Sequence, residues 1–442
     1  MDQLTPSIRS LLLPLAPCFR PEVFSTFCLM AAAWIVCLGR RTVSRVWETT
    51  GQAPHRHHAA AFRLFSEAVW NFDDLTRILL VRLLAAFVPG SRVWLVVDDT
   101  LCHKRGAKVA FGGIFLDAVL STKKHKVFRF GTNWVLLGLV VELHDRPDRF
   151  FCLPLLWRVY QKQGEKTKAE HRTKPQLAAE LIGVLADWLP GKELLLVADS
   201  AYICKGLLHD RPANVEAIGP ICWKAALYEE ALDQDSQVGS RLPTPAQMLA
   251  DDEGWPASTR WITFPNGCRR RLRIKQIDGV CWPSVAGYKP VRIVLVRDPK
   301  GEWRDEALVS TNATLPDWLI VTGYCRRWSV EVAFCDAKQQ MGFHDPQVWS
   351  ALAVERATPM AWFLGTVVVL WYAESGKDGK QAQRERPWYQ RRRSPTFADM
   401  LSSCRLHLWE HWLENRGASE AGPQAAPEAK WAWLLEYLAT AT

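Results

Sequence analysis

The residues best placed to do chemistry lie between Tyr324 and Lys338, in the run YCRRWSVEVAFCDAK. Taken as one helix turning about 100° per residue, Tyr324, Arg327, Glu331 and Lys338 fall within an arc of roughly 60°. A phenol, a guanidinium, a carboxylate and an ammonium would then share one stripe, with Val330, Val332, Phe334 and Cys335 packing on its flanks. A carboxylate set among phosphate-binding cations suits a metal-dependent phosphodiester enzyme: the acid holds Mg²⁺ and the cations hold the DNA backbone. The stripe alone fits a solvated helix face equally well.

Two acids far upstream tip that balance. Asp99 follows the apolar run Val93 to Val97, and Asp199 follows Glu193 to Ala198. With Glu331 they are separated by 100 and 132 residues. Any one strand-end aspartate reads best as a turn or helix cap. Three acids with a cation stripe suit phosphoryl transfer by two divalent ions about 3.5–4 Å apart. Mg²⁺ keeps several waters and needs only a few carboxylates, and Mn²⁺ is the expected substitute. Asp98 competes with Asp99 for the first position, because strand alternation points the two in opposite directions and only one can ligate.

The elements that must position these acids follow from the hydrophobic pattern. Residues 1 to about 88 read as helical, with breaks at Pro14, Pro21, Gly51 and Pro54. Residues 39–51 and 55–70 have helix–turn–helix proportions, with Arg56 and Arg63 available to DNA; an ordinary helical hairpin is the alternative. Strands are expected at Val93–Val97, Trp134–Leu143 and Phe150–Leu156, then a helix near Pro175–Leu189 and a strand at Glu193–Ala198. Strand, strand, strand, helix, strand is the order of an RNase H-like mixed sheet. Acids at strand C-termini sit where α/β folds place their chemistry.

Composition sets the class of partner. Fifty-five Lys and Arg against 46 Asp and Glu give a net charge of +9, which makes polyanions plausible partners. The 12 cysteines form no CxxC pair, so a zinc site or a disulfide scaffold is not expected and reduced thiols in a cytosol are. The start MDQLTPSIRS lacks the pattern of a signal peptide. The apolar runs Phe27–Leu38 and Met360–Ala373 read as buried helices too short to cross a bilayer. Seven basic residues (Lys104, Arg105, Lys108, Lys123, Lys124, Lys126 and Arg129) follow the first acid, and only Asp117 opposes them. A second basic run ends in Arg391, Arg392 and Arg393.

The segments VDDT, VADSAY and YCRRWSVEVAFCDAK resemble the three catalytic motifs of bacterial insertion-sequence DDE transposases. The match is to the group with a Tyr-x₂-Arg-x₃-Glu-x₆-Lys signature and a β-strand insertion before the Glu, insertion sequence family four and its relatives. Tyr324, Arg327, Glu331 and Lys338 meet that spacing without a gap, and RPWYQRRRSPTFADML resembles the family's basic tail. The resemblance implies an α/β fold: an RNase H-like catalytic core interrupted by a β-rich insertion, with helical N- and C-terminal regions. Residues 1–88 would bind DNA, 89–203 begin the core, 204–312 form the insertion, 313–375 complete the core, and 376–442 hold the basic loop and C-terminal helices. Asp99, Asp199 and Glu331 would bind two Mg²⁺ ions. Tyr324, Arg327, Lys338, Lys104, Arg105 and Arg391–Arg393 would contact DNA.

The implied activity is cut-and-paste transposition: cleavage at terminal inverted repeats, then strand transfer by the freed 3′-OH, with a hairpin on the element end as one family variant. The partners would be element-end and target DNA, bound by a homodimer without membrane involvement, in a bacterial cytoplasm at the nucleoid. In the family an insertion-domain tryptophan stacks on a flipped base. Trp282 and Trp303 are the candidates here, with a core role as the alternative for either. A domesticated DNA-binding descendant and a non-transposing nuclease of the same fold are the competing readings.

Overall fold

The computed structural model describes residues 3–143, 146–164, 171–231, 238–256, 259–264, 268–378, 395–420 and 438. Five helices come first: α1 (Pro6–Leu12), α2 (Pro21–Val36), α3 (Val43–Thr49), α4 (Ala59–Ser66) and α5 (Phe72–Phe87). Each of α1, α3 and α5 starts on a side-chain cap, from Thr5, Thr42 and Asn71 respectively, which satisfies an otherwise orphaned amide. Helix α2 is buried along most of its length and packs against α3 and α4. In the expected helix–turn–helix, the second helix begins at Ala59, and Arg56 donates to Thr26 Oγ1 at 2.8 Å. Arg63 stays exposed, 3.7 Å from Glu67.

The strands are β1 (Arg92–His103), β2 (Gly113–Leu116), β3 (Phe128–Leu143) and β4 (Arg146–Tyr160). After α6 (Lys174–Trp188) come β5 (Glu193–Ala198), α7 (Lys205–Leu208), β6 (Val215–Pro220) and β7 (Tyr228–Glu229). Then follow α8 (Pro245–Ala250), β8 (Arg260–Thr263), β9 (Arg269–Trp282), α9 (Pro283–Ala286), β10 (Gly287–Arg297) and β11 (Glu306–Ser310). The core order is β4-β3-β1-β5-β6. Strands β4, β3 and β1 pair antiparallel, whereas β1, β5 and β6 pair parallel. This is a mixed, open α/β sheet of RNase H-like type.

The segment expected to be a separate insertion begins inside this sheet. Strand β6 pairs with β5, β11 pairs with β6, and β10 and β9 continue outward, so one 11-stranded sheet runs through both. The buried apolar runs VRIVLV and EALVS give β10 and β11 the two-sided burial that a central strand needs.

The chain ends with α10 (Asp317–Cys325), α11 (Trp328–Gln340), α12 (Ala351–Ala357), α13 (Met360–Glu374) and α14 (Phe397–Glu420). The apolar run at Met360 is longer than its sequence suggests. Helices α12 and α13 run on as Ala351–Glu374, 24 residues, enough by length and composition to cross a bilayer. Its most apolar window is 83% buried within the protein, where α13 packs on β4, α5 and α14, so it is the core helix of the fold. The basic loop past residue 378, including Arg391, Arg392 and Arg393, and the expected terminal helix except residue 438 lie outside the described residues.

Helix α10 approaches the sheet at Gly323, where an added Cβ would lie 2.5 Å from the Trp94 ring. Gly323→Ala should therefore cost about 1–3 kcal/mol of stability by overpacking. Gly183, inside α6, has open space where its Cβ would be. Ala there should stabilise by about 0.5–1 kcal/mol. Urea unfolding of the two variants checks both signs.

Candidate active site

The parallel register of β1 on β5 decides which aspartates meet. It runs from Arg92 opposite Glu193 to Val97 opposite Ala198, so the next pair is Asp98 and Asp199. Asp98 shares its face of β1 with Trp94 and Cys102. Trp94 meets Arg326 ahead of α11, and Cys102 Sγ donates to Phe343 O at 3.2 Å just beyond it. Asp98 thus faces α11, and its Oδ2 accepts from Arg327 at 3.0 Å.

Asp99, the expected first acid, points the other way. Its carboxylate accepts from Lys174 Nζ at 2.5 Å and from the Tyr202 hydroxyl at 3.0 Å. The first acid on the α11 face is therefore Asp98, and strand alternation is the reason.

Asp199 lies one residue past β5. Its Oδ1 accepts from the amides of Ala201 at 2.9 Å and Tyr202 at 3.3 Å, which fixes the turn leaving the strand. Tyr202 then bonds Asp99, so the loop carrying the second acid is tied to the strand carrying the first.

The stripe is not one uniform helix. Tyr324 ends on α10, and α11 begins at Trp328. Between them the amides of Arg327, Ser329 and Val330 bond three residues back, a tightened turn that keeps the chain helical in direction. Arg327 Nη1 lies 3.8 Å from Glu331 Oε1 as well as 3.0 Å from Asp98. One guanidinium thus links the first and third acids.

Arg326 anchors this junction to the sheet. Its guanidinium sits 4.6 Å from the Trp94 and Phe150 ring centroids and 3.2 Å from Glu142. Nothing in the sequence pattern singled it out; its neighbour Arg327 carried the signature.

A family model described as DDE superfamily endonuclease matches residues 14–276, more than half of the chain. No curated protein matches it. The chain belongs to the DDE superfamily endonucleases. The matched region contains Asp98, Asp99 and Asp199 and stops short of Glu331, whose place beside the pair comes from the fold.

Endonucleases of this superfamily generally use divalent metal ions, and the donors here suit one. Asp98 is only 8% exposed. Burial first, and then the Asp199 charge, push its carboxyl up to about 7; the Asp99 amide and Arg327 pull the other way. Asp98 and Asp199 stand next to each other with a single guanidinium, set against Asp98, so the pair is short of positive charge, and all its donor atoms are hard oxygens. Among the described residues no three His, Cys, Asp or Glu side chains form a ready metal cage. Glu331 reaches the pair only across Arg327.

The remaining expected contacts divide. In the endonuclease, burial raises the Tyr324 hydroxyl pKa while nearby Arg327 lowers it. Burial lowers the Lys338 ammonium, opposed by Cys102, Asp117 and Glu331. Lys104 is tied to the chain beyond α11: Nζ donates to Pro346 O at 2.9 Å. Arg105 is exposed. Trp282 is buried, whereas Trp303 is partly exposed and set edge-on to Phe264 at 4.9 Å. The roles of Lys174 and Tyr202 on Asp99 were not visible in the sequence: Lys174 reads there as one of a basic cluster ahead of the central helix that could contact DNA, and Tyr202 as part of the VADSAY segment.

An acid whose folded pKa exceeds its unfolded value holds its proton more tightly in the fold. Through Asp98, stability is undiminished below the ordinary carboxylate pKa of 3.8, and falls as pH rises through about 7. In chelator, moving from about pH 5 to pH 8 should therefore cost the wild type up to a few kcal/mol that Asp98→Asn does not lose. Mg²⁺ or Mn²⁺ should restore part of it at the higher pH in wild type alone. Unfolding curves across pH test this, and an equal metal response in Asp98→Asn would place the ion elsewhere.

Proposed function

We propose that this endonuclease is the transposase of an insertion sequence of the Tyr-Arg-Glu-Lys group, cutting its own element ends in double-stranded DNA and joining them to a target. The observation that carries the reading is the convergence of Asp98, Asp199, Arg327 and Glu331 on one face of the sheet. Asp98, Asp199 and Glu331 would hold the divalent ions, Mg²⁺ or Mn²⁺. Those ions, when bound, supply activation of the attacking oxygen and stabilisation of the leaving oxygen.

The chain's own residues do the positioning. Arg327 is held by Asp98 and Glu331 at the mouth of the site, where a phosphate can share its guanidinium. Tyr324 and Lys338 lie to either side of it along the chain, to steer the strand past the acids. Arg326, clamped by two rings, keeps Arg327 from drifting as the substrate enters. The first cut would free a 3′-OH at the element end, which then attacks a second phosphodiester. A homodimer would synchronise the two ends, and a hairpin on the element end fits the same chemistry.

The test is Mg²⁺-dependent cleavage of labelled duplex carrying the repeats that flank the gene. Wild type should cut at the repeat boundary and join the 3′ end to a second duplex. Glu331→Gln should lose cleavage on the order of a thousandfold or more while binding the ends nearly as before. Cutting without regard to the repeats, and without joining, would instead make it a non-transposing nuclease.

A further inference from the structure

The hairpin that β2 forms with the start of β3 carries a surface that the cleavage chemistry leaves unused. Ile114 lies opposite Phe130, and Leu116 lies opposite Phe128. Directly opposed residues of an antiparallel pair share a face. Further along β3, Leu136 lies opposite Asp98. Phe128 and Leu136 are an even number of residues apart, so Ile114, Leu116 and Phe128 stand on the sheet face that bears Asp98.

Facing residues elsewhere on that side are covered by α11, but these are not. Phe128 is 60%, Ile114 59% and Leu116 44% exposed, and the loop beyond β2 adds Val119 at 79% and Leu120 at 48%. Apolar groups left in water side by side mark a contact surface.

The charge around the patch says what kind. Lys123, Lys124, Lys126 and Arg129 are all exposed, and among the described residues none is ion-paired. The one acid nearby, Asp117, is buried and fully used: Oδ2 lies 2.7 Å from His103 Nε2, and Oδ1 accepts from the amides of Val119 and Leu120. Asp117 also acts on Lys338, so the root of the hairpin adjoins the far end of the Glu331 stripe. A second copy docking by the same patch across a two-fold axis would set these cations against their own images. A polyanion would not.

We propose that this hairpin is a DNA wedge. Resting on the function proposed above, it would bind the duplex leaving the active site, with Lys123, Lys124 and Lys126 on phosphates. Leu116 and Phe128, with Ile114 beside them, would press into a base step and open it next to the scissile bond, as apolar wedges do in kinked DNA.

Binding of element-end duplex is measured by anisotropy across a salt series, with 2-aminopurine at successive positions beside the cut. Leu116→Ser with Phe128→Ser should weaken binding about tenfold and abolish the fluorescence rise at one step, with the salt slope unchanged. K123Q/K124Q/K126Q should lower the salt slope by about two to three while keeping the fluorescence rise. Because the altered side chains are exposed, both variants should melt with the wild type. Wild-type behaviour in both variants, alongside normal cutting, overturns the wedge and leaves the transposase reading standing. Loss of a DNA-free dimer in the serine variant, seen by sedimentation, hands the patch to a second copy and also overturns the wedge. A wild-type protein that neither binds nor cuts duplex overturns both.

Discussion

The parallel pairing of β1 with β5 places two carboxylates, Asp98 and Asp199, side by side at the centre of the sheet, and much of the site is arranged around that repulsion. Burial and the neighbouring Asp199 charge both raise the cost of ionising Asp98. The fold offsets it with one guanidinium, Arg327, set against Asp98. Arg327 in turn depends on Arg326, whose ring sandwich pins the α10–α11 junction to β1 and β4. On the opposite face, Lys174 and Tyr202 neutralise and hold Asp99, so the second aspartate of the Asp-Asp pair stabilises the loop of the second acid. Arg326, Arg327, Lys174, Tyr202 and Asp99 thus hold the surroundings of Asp98 and Asp199.

The architecture around them is continuous. The β-rich segment between β6 and α10 extends the core sheet, and the N-terminal helices share one buried core with α13 and α14. A core helix buried on nearly every side, α13, forms the floor beneath β4. Such a frame leaves the acids little freedom to separate, whereas Glu331, half-exposed on its helix, has room to move.

The core strands and the helix before β5 were legible because buried strands read as uninterrupted apolar runs ended by acids: Val93–Val97 and Glu193–Ala198 lie within β1 and β5. The i,i+4 spacing of Arg327 and Glu331 also survives the tightened turn that sequence periodicity cannot see. The choice between Asp98 and Asp99 was not legible. It depends on register between strands a hundred residues apart, and local motif context pointed to the residue before Thr100. The continuity of the sheet past residue 204 was not legible for a related reason: β6 is recognisable as a neighbour of β5 only once their pairing is known. The tie of Lys104 was not legible because its carbonyl partners lie some 240 residues away.

The most direct test of the central claim exchanges the hard carboxylate for a soft thiolate at each of the two neighbouring positions. Single-turnover cleavage by Asp98→Cys and Asp99→Cys would be compared in Mg²⁺ and in the more thiophilic Mn²⁺. The account predicts that Asp98→Cys is inactive in Mg²⁺ and recovers in Mn²⁺, while Asp99→Cys responds alike to both ions. Recovery confined to Asp99→Cys would contradict it.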